Sequence, residues 1–250
     1  MHNKQKYKTL LNIALCGGSL FFILSLFSMY FYPGGTMWHN PSNEGVIITK
    51  YYSHTLNFFS DLGSLQAWSG NHNIISNFFF VASLFSVAIA IVSLYYAFHY
   101  ILRKDKKLIF LSKIGIFVSI ISAIGFIGVG FTPSDTLHKE HMFCVNLAFR
   151  SFLVVMFIYS YAIFKSSYLK NYLSLIYFLL FCLVLYYTFI LVMFPLIDSN
   201  DFANGIRLPR SIDDLKFHVV SQKFVVYGLS FSILWQLFQL KKQKYINLVD

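Results

Sequence analysis

Charge is scarce in this 250-residue sequence: 12% of its residues are Asp, Glu, Lys or Arg, while 57% are hydrophobic and 20% aromatic. Soluble domains carry roughly 25% charged residues, so the deficit excludes an ordinary soluble domain. Cysteine is also scarce. Cys16, Cys144 and Cys182 each fall inside an apolar run, which excludes a disulfide framework and a cluster of zinc thiolates. No Walker loop, dinucleotide fingerprint, Gly-x-Ser-x-Gly elbow or His-Glu-x-x-His pair is present, and no internal repeat or low-complexity tail divides the chain, which reads as one domain over 1–250.

Long apolar runs take the place of these features. Residues 9–43, 74–98 and 171–197 contain no Asp, Glu, Lys or Arg at all. Three more runs carry one charge each: 108–131 with Lys113, 142–164 with Arg150 and 219–240 with Lys223. Each is long enough for the roughly 20 residues that cross a bilayer core as a helix. Transmembrane strands would alternate apolar and polar residues, and these runs are apolar on every face. The sequence therefore predicts an all-α, polytopic membrane protein, a bundle of six transmembrane helices near 9–32, 73–101, 108–131, 133–164, 171–194 and 218–240. The basic start, Lys4, Lys6 and Lys8, resembles a signal peptide, but the apolar run after it exceeds the roughly 7 to 15 residues of a signal core and ends in Tyr-Phe-Tyr-Pro-Gly-Gly with no small-x-small cleavage site. It reads as the first helix.

Sidedness follows from the basic residues of alternate loops. One side holds Lys4, Lys6, Lys8, Arg103, Lys104, Lys106, Lys107, Lys165, Lys170, Lys241, Lys242 and Lys244; the other holds Lys50, Lys139, Arg207, Arg210 and Lys216. This places both termini in the cytoplasm and the chain in the cell membrane. Acids distribute oppositely: Glu44, Asp61, Asp135, Glu140, Asp198, Asp201, Asp213 and Asp214 fall outside, with His39, His54, His72, His138, His141 and His218. The net charge of +10, which in a soluble protein would suggest nucleic acid, is topology here. No nucleic-acid partner is expected, and any chemistry belongs to the extracytoplasmic face.

On that face, residues 33–72 form a connection too long for a hairpin, and its Trp and Tyr content suits a segment lying along the membrane. Asn71 to Asn73 offers a cap for the second helix. Thr132-Pro133-Ser134-Asp135 reads as the start of the fourth, with Thr as N-cap and Pro at the first helical position. At 100° per residue, Asp135, His138, Met142, Asn146 and Arg150 then form one stripe. If the sixth helix already runs from Asp213, Asp214, His218, Ser221 and Gln222 share a face. Gly115, Gly125, Gly128 and Gly130 read as sites of close helix approach.

Arg150 is the residue that most asks for a role, because an intramembrane charge usually faces a bundle interior or a polar cavity. Asp61 and Asp135 are its counter-ion candidates; an Arg that snorkels or merely fixes helix register is the plainer reading. Lys113 and Lys223 lie near span boundaries and read as snorkelling. Asp61, Asp135, His138 and Arg150 are the candidate catalytic group, with a His as base oriented by an Asp and Arg150 stabilising a phosphate or oxyanion. Ser60, His72, Asn77 and Asn146 are candidate substrate contacts. His138, His141 and His218 are candidate ligands of a zinc ion, although His-x-x-His alone is a weak pattern for helical metal binding.

Several segments, Tyr32-Pro33-Gly34-Gly35, Asn57-Phe58-Phe59-Ser60-Asp61-Leu62-Gly63, Asn77 with Phe78 to Phe80, and Gly128 to Asp135 followed by His138, occur in combination. That combination resembles a bacterial membrane family, the domain-of-unknown-function group numbered 998, itself similar to the Frag/DRAM class of six-helix proteins. The resemblance covers helices one to four by motif and the last two by topology. It implies a six-helix bundle, marks Ser60, Asp61, Gly63, Asn77, Pro133, Asp135 and His138, and leaves His141 and His218 outside the motifs. Eukaryotic relatives act in lipid-anchor remodelling and in lysosomal or autophagic membranes, so the resemblance implies lipid handling by analogy. The expectation is a protein that binds or remodels a lipid headgroup at an extracytoplasmic polar cavity, as a hydrolase or transferase. The alternative is a non-catalytic transporter or membrane scaffold held by buried ion pairs, and the sequence leaves oligomeric state open.

Overall fold

The computed structural model describes residues 2–38, 49–193, 196, 209 and 211–249. Within them the chain is helical, with α1 (His2–Tyr30), a short 3-10 turn (Phe59–Gly63), α2 (Ile74–Leu102), α3 (Ile109–Phe131), α4 (His138–Lys165), α5 (Asn171–Met193), α6 (Ile212–Leu240) and α7 (Gln243–Asn247). Six of these helices are long and apolar enough to cross a membrane, which makes the chain a multi-pass membrane protein built as a helical bundle. His39, Glu44, Asp198, Asp201, Arg207 and Arg210 lie outside the described residues.

Each long helix packs on the next in sequence, and α6 returns to α1, so the bundle closes as a ring. From α2 to α5 short connections force this order, because helices joined by a few residues become antiparallel neighbours. Both termini meet at one end: the Tyr7 hydroxyl donates to the Leu240 carbonyl at 2.9 Å, and Lys4 and Lys241 reach Asn247 and Asn12. Helix α1 therefore begins at His2, taking in the lysines expected to precede it.

Close approach explains where glycine sits. A Cβ on Gly17 would lie 2.6 Å from the Ser86 carbonyl of α2, and one on Gly125 would lie 2.5 Å from the Ala148 nitrogen of α4. Gly115 and Gly128 similarly face Tyr159 and Cys144, whereas Gly130 has ordinary space around it. In lipid, where apolar burial does not drive helix association, such approach lets van der Waals packing do so.

The half of the bundle near the termini is filled by aromatic rings. Tyr95, Phe98, Tyr159 and Tyr177 pack as one cluster, with the Tyr95 and Tyr159 centroids 4.4 Å apart and the Tyr159 hydroxyl donating to the Tyr95 carbonyl at 3.2 Å. The opposite half is roofed by the connection between α1 and α2. Its described part folds inward: Phe59 stacks on Phe21 of α1 at 6.0 Å and meets Phe80 of α2 at 6.1 Å, and Leu62 is fully buried. Gly34 and Gly35 make the turn after α1 with φ of +91° and +80°, a conformation that glycine alone adopts freely.

Two helix starts differ from expectation. Helix α4 begins at His138, five residues after Pro133, because the Asp135 carboxylate does not cap it; both its oxygens accept from the Leu65 and Gln66 amides at 2.9 to 3.1 Å. The Thr132 hydroxyl donates back to Gly128 instead. Helix α6 begins at Ile212, six residues before the expected start, with Ser211 as N-cap accepting from the Asp214 amide at 3.0 Å and donating to the Asp214 carboxylate at 2.8 Å.

Candidate functional site

The roof is held from both sides by polar side chains of α2 and α6. On the α2 side, Asn73 donates to the carbonyls of Leu62 and Ser64 at 3.0 Å each, Ser76 to Leu62 at 3.3 Å, and Asn77 to Gly63 at 2.6 Å. Asn73 thus stands at the N-cap position of α2 while its side chain serves the roof. On the α6 side, the Phe59 amide donates to Gln222 at 2.6 Å, and the Lys223 ammonium donates to the Asn57 carbonyl at 2.5 Å.

Asn57 joins the two ionised groups of this knot. Its side-chain NH₂ donates to Asp61 Oδ2 at 3.1 Å and to the Gly35 carbonyl at 2.9 Å, while its own carbonyl receives Lys223 and the Tyr52 hydroxyl. Asp61 also accepts from the Phe58 amide at 2.9 Å and from the Trp68 side chain. The Lys223 ammonium lies 5.1 Å from the Tyr52 ring centroid and 6.0 Å from that of Phe59, within cation–π range. Burial pushes the Asp61 carboxyl up to about 6, against the donors from Asn57, Trp68 and Phe58 and the charge of Lys223, which pull it down. Lys223 is 5% exposed, so its expected snorkelling is overturned; its charge acts on Asp61 across Asn57, a place the sequence reading offered to Arg150.

Beneath the roof lies a cavity of about 380 Å³, within the roughly 300 to 1,000 Å³ of small-molecule sites. Its walls are apolar, from Phe21 of α1, Phe80, Leu84 and Val87 of α2, Phe126 and Val129 of α3, Val145 and Phe149 of α4, and Val226 and Leu229 of α6. Its rim is polar: Ser60, Asp61, Ser64, Gln66, Asp135, His138, His141 and Gln222. From His138 to Phe149 the α4 wall runs about 16 Å at 1.5 Å per residue, about half a hydrocarbon core of roughly 30 Å. His141 is 3% exposed and its Nδ1 donates to the Thr132 carbonyl at 2.6 Å, which leaves Nε2 as the basic nitrogen.

Of the sequence candidates, Ser60, Asp61, Asp135, His138 and His141 come together at this rim. The others do not. His72 is exposed in an isolated bridge with Gln66, and Asn77 is occupied with the Gly63 carbonyl. Asn146 is exposed and donates to Met142 on its own helix at 2.7 Å. Arg150 is exposed on the outside of α4 beside exposed Phe143, Val154 and Phe157, about 120° round the helix from cavity-lining His138. His218 is buried on α6, ring to ring with Phe217, and among the described residues no three His, Cys, Asp or Glu side chains form a group that could hold a metal. The zinc set His138, His141 and His218 is therefore not assembled.

Asn57, Trp68, Gln222 and Lys223 were missed by the sequence reading. A signal did exist: Gln222 and Lys223 are adjacent polar residues interrupting an apolar run, and an acid in an aromatic-rich loop needs a cation near it. No protein-family model, curated protein or solved structure matches the chain.

Proposed function

We propose that the protein binds a membrane lipid by inserting one acyl chain into the roofed cavity and holding the polar end of the molecule at the rim of Ser60, Asp61, Asp135, His138 and His141. The observation that carries this reading is the lining of a single cavity, mostly apolar along the helices and polar where the roof and the helix starts meet it. An amphiphile matches both parts, whereas a wholly polar solute would leave the apolar wall unsatisfied. The length of the wall suits a chain from one leaflet. The motif resemblance to the 998 group points to lipids by analogy. Headgroup hydrolysis or transfer is the chemistry that His141 Nε2 would serve as general base. The loop charges support a reading in which the roofed end faces the extracytoplasmic side of the cell membrane and the termini the cytoplasm.

A photoactivatable lysophospholipid with a diazirine near the end of its chain tests the binding. Crosslinks concentrated at Leu84, Val87 and Leu229 are expected; crosslinks spread evenly over the outer helix faces would sink the proposal. Labelling of Tyr51→Cys by an impermeant thiol reagent in intact cells tests the sidedness, since Tyr51 is 73% exposed.

The scaffold alternative draws on one observation of its own, the Asp61, Asn57 and Lys223 knot, which is buried and hydrogen-bonded within the protein. That knot belongs to the roof, and a fixed roof serves a binding cavity equally well.

A further inference from the structure

The lipid-facing surface of α4 carries an arginine with no account in the cavity. Arg150 is exposed, and among the described residues no hydrogen bond, ion pair or ring contact involves it. Its exposed neighbours on the same face are Phe143, Val154, Phe157 and Tyr161. The nearest charged residues along the helix are Glu140 and Lys165, roughly 15 Å and 22 Å away at 1.5 Å per residue. Arg150 therefore sits in the middle third of a span, on the side that meets lipid, where a lone charge is costly. Exposed Asn146 lies one turn away on the same face and adds a second polar group.

We propose that this face of α4 docks a transmembrane helix of another protein, one that carries an Asp or Glu at mid-span to pair with Arg150. Charge complementarity selects the occupant. A lipid phosphate stays at headgroup level, about half the roughly 30 Å core away from the helix middle, whereas a carboxylate on a helix can sit at any depth. A second copy of this chain supplies no such acid: within the six candidate spans the only acids are Glu140, Asp213 and Asp214, all in first turns, and parallel packing through α4 would set Arg150 against Arg150. Paired in a dry interface, a guanidinium and a carboxylate form two parallel charge-assisted hydrogen bonds, and Asn146 adds an interhelical bond.

The test uses the full chain, donor-labelled, in phosphatidylcholine vesicles with acceptor-labelled synthetic Leu-rich transmembrane helices bearing Asp or Leu at the centre. Energy transfer should show at least fivefold tighter association of the Asp helix; Arg150→Leu should remove that preference and Arg150→Lys should keep part of it. Equal association of the two helices, or a preference that survives Arg150→Leu, overturns the proposal. So does Arg150-dependent retention of phosphatidic acid without any peptide preference, which would make the occupant a lipid, or Arg150-dependent energy transfer between copies of the chain.

Discussion

Lys223 Nζ lies 2.5 Å from the carbonyl oxygen of Asn57, 166 positions earlier, and so ties the wall of the cavity on α6 to its roof. The same Asn57 donates to Asp61, so one amide residue bridges a buried cation and a buried carboxylate. Both groups are 5% exposed, so each is held by hydrogen bonds within the protein rather than by water. Lys223→Met should destabilise the protein by about 2 kcal/mol, the scale of a buried hydrogen bond to a charged group. Adding Asp61→Asn to Lys223→Met should cost less than the two single changes together. Unfolding of all four proteins in detergent gives the coupling, and strictly additive losses would show that the two charges do not interact.

Protonation of Asp61 gives a pH signature. Its carboxyl titrates near 6 when folded against an ordinary 3.8, so the folded state binds a proton more tightly than the unfolded one. Stability is then greatest below about pH 4 and declines as pH rises through 6, by about 3 kcal/mol over that window. His54 acts in the opposite sense: burial and Lys223 lower its pKa, so it adds stability as pH rises, to a small extent because it is exposed. Unfolding measured from pH 4 to 7 in the native protein and in Asp61→Asn isolates the carboxyl. An equal pH slope in both would refute the assignment.

Gly63 closes the Ser-Asp-Leu-Gly motif, and its role is steric. A Cβ there would lie 2.5 Å from two atoms of the Phe80 ring, which lines the cavity. Gly63→Ala must push that ring inward, at about 1 to 3 kcal/mol for overpacking. Bound lipid per protein, measured by extraction, should fall with it. Leu84→Trp fills the same space from the wall and should reduce lipid several-fold with little loss of stability. Unchanged lipid content in both variants would mean that the ligand is not in this cavity.

The helices were legible because apolar runs of more than 20 residues have one solution in a bilayer. Ser60, Asp61, Asp135 and His138, which the motif resemblance marks, line one cavity, but nothing in the local pattern of the sequence brings them there. What misled was phase. Reading α4 from Pro133 made Asp135 and Arg150 members of one helical stripe, yet Asp135 is spent on the Leu65 and Gln66 amides and the helix starts at His138. A tertiary hydrogen bond of this kind, 70 positions apart, leaves no local pattern. Lys223 was hidden for a related reason: position near a span boundary suggests snorkelling, and only the folded roof supplies the Asn57 carbonyl and the Tyr52 and Phe59 rings that receive it.

The Asp135 contact also predicts how the rim is kept closed. Its two oxygens hold the Leu65 and Gln66 amides, two donors next to cavity-lining Ser64 and Gln66. Replacing the carboxylate by Ala frees both donors at an exposed site, where water takes over, so the global cost should be modest, about 1 kcal/mol. The local effect should be larger: hydrogen exchange at Leu65 and Gln66 should quicken by tenfold or more, while the amides of α2 below Phe80 keep their protection. Release of a bound lysophospholipid should quicken in parallel, because the rim segment opens more often. Asp135→Asn retains one acceptor and should fall between the two. If exchange at Leu65 and Gln66 is unchanged in Asp135→Ala, the carboxylate is not what holds this side of the roof, and faster lipid release would then need another cause.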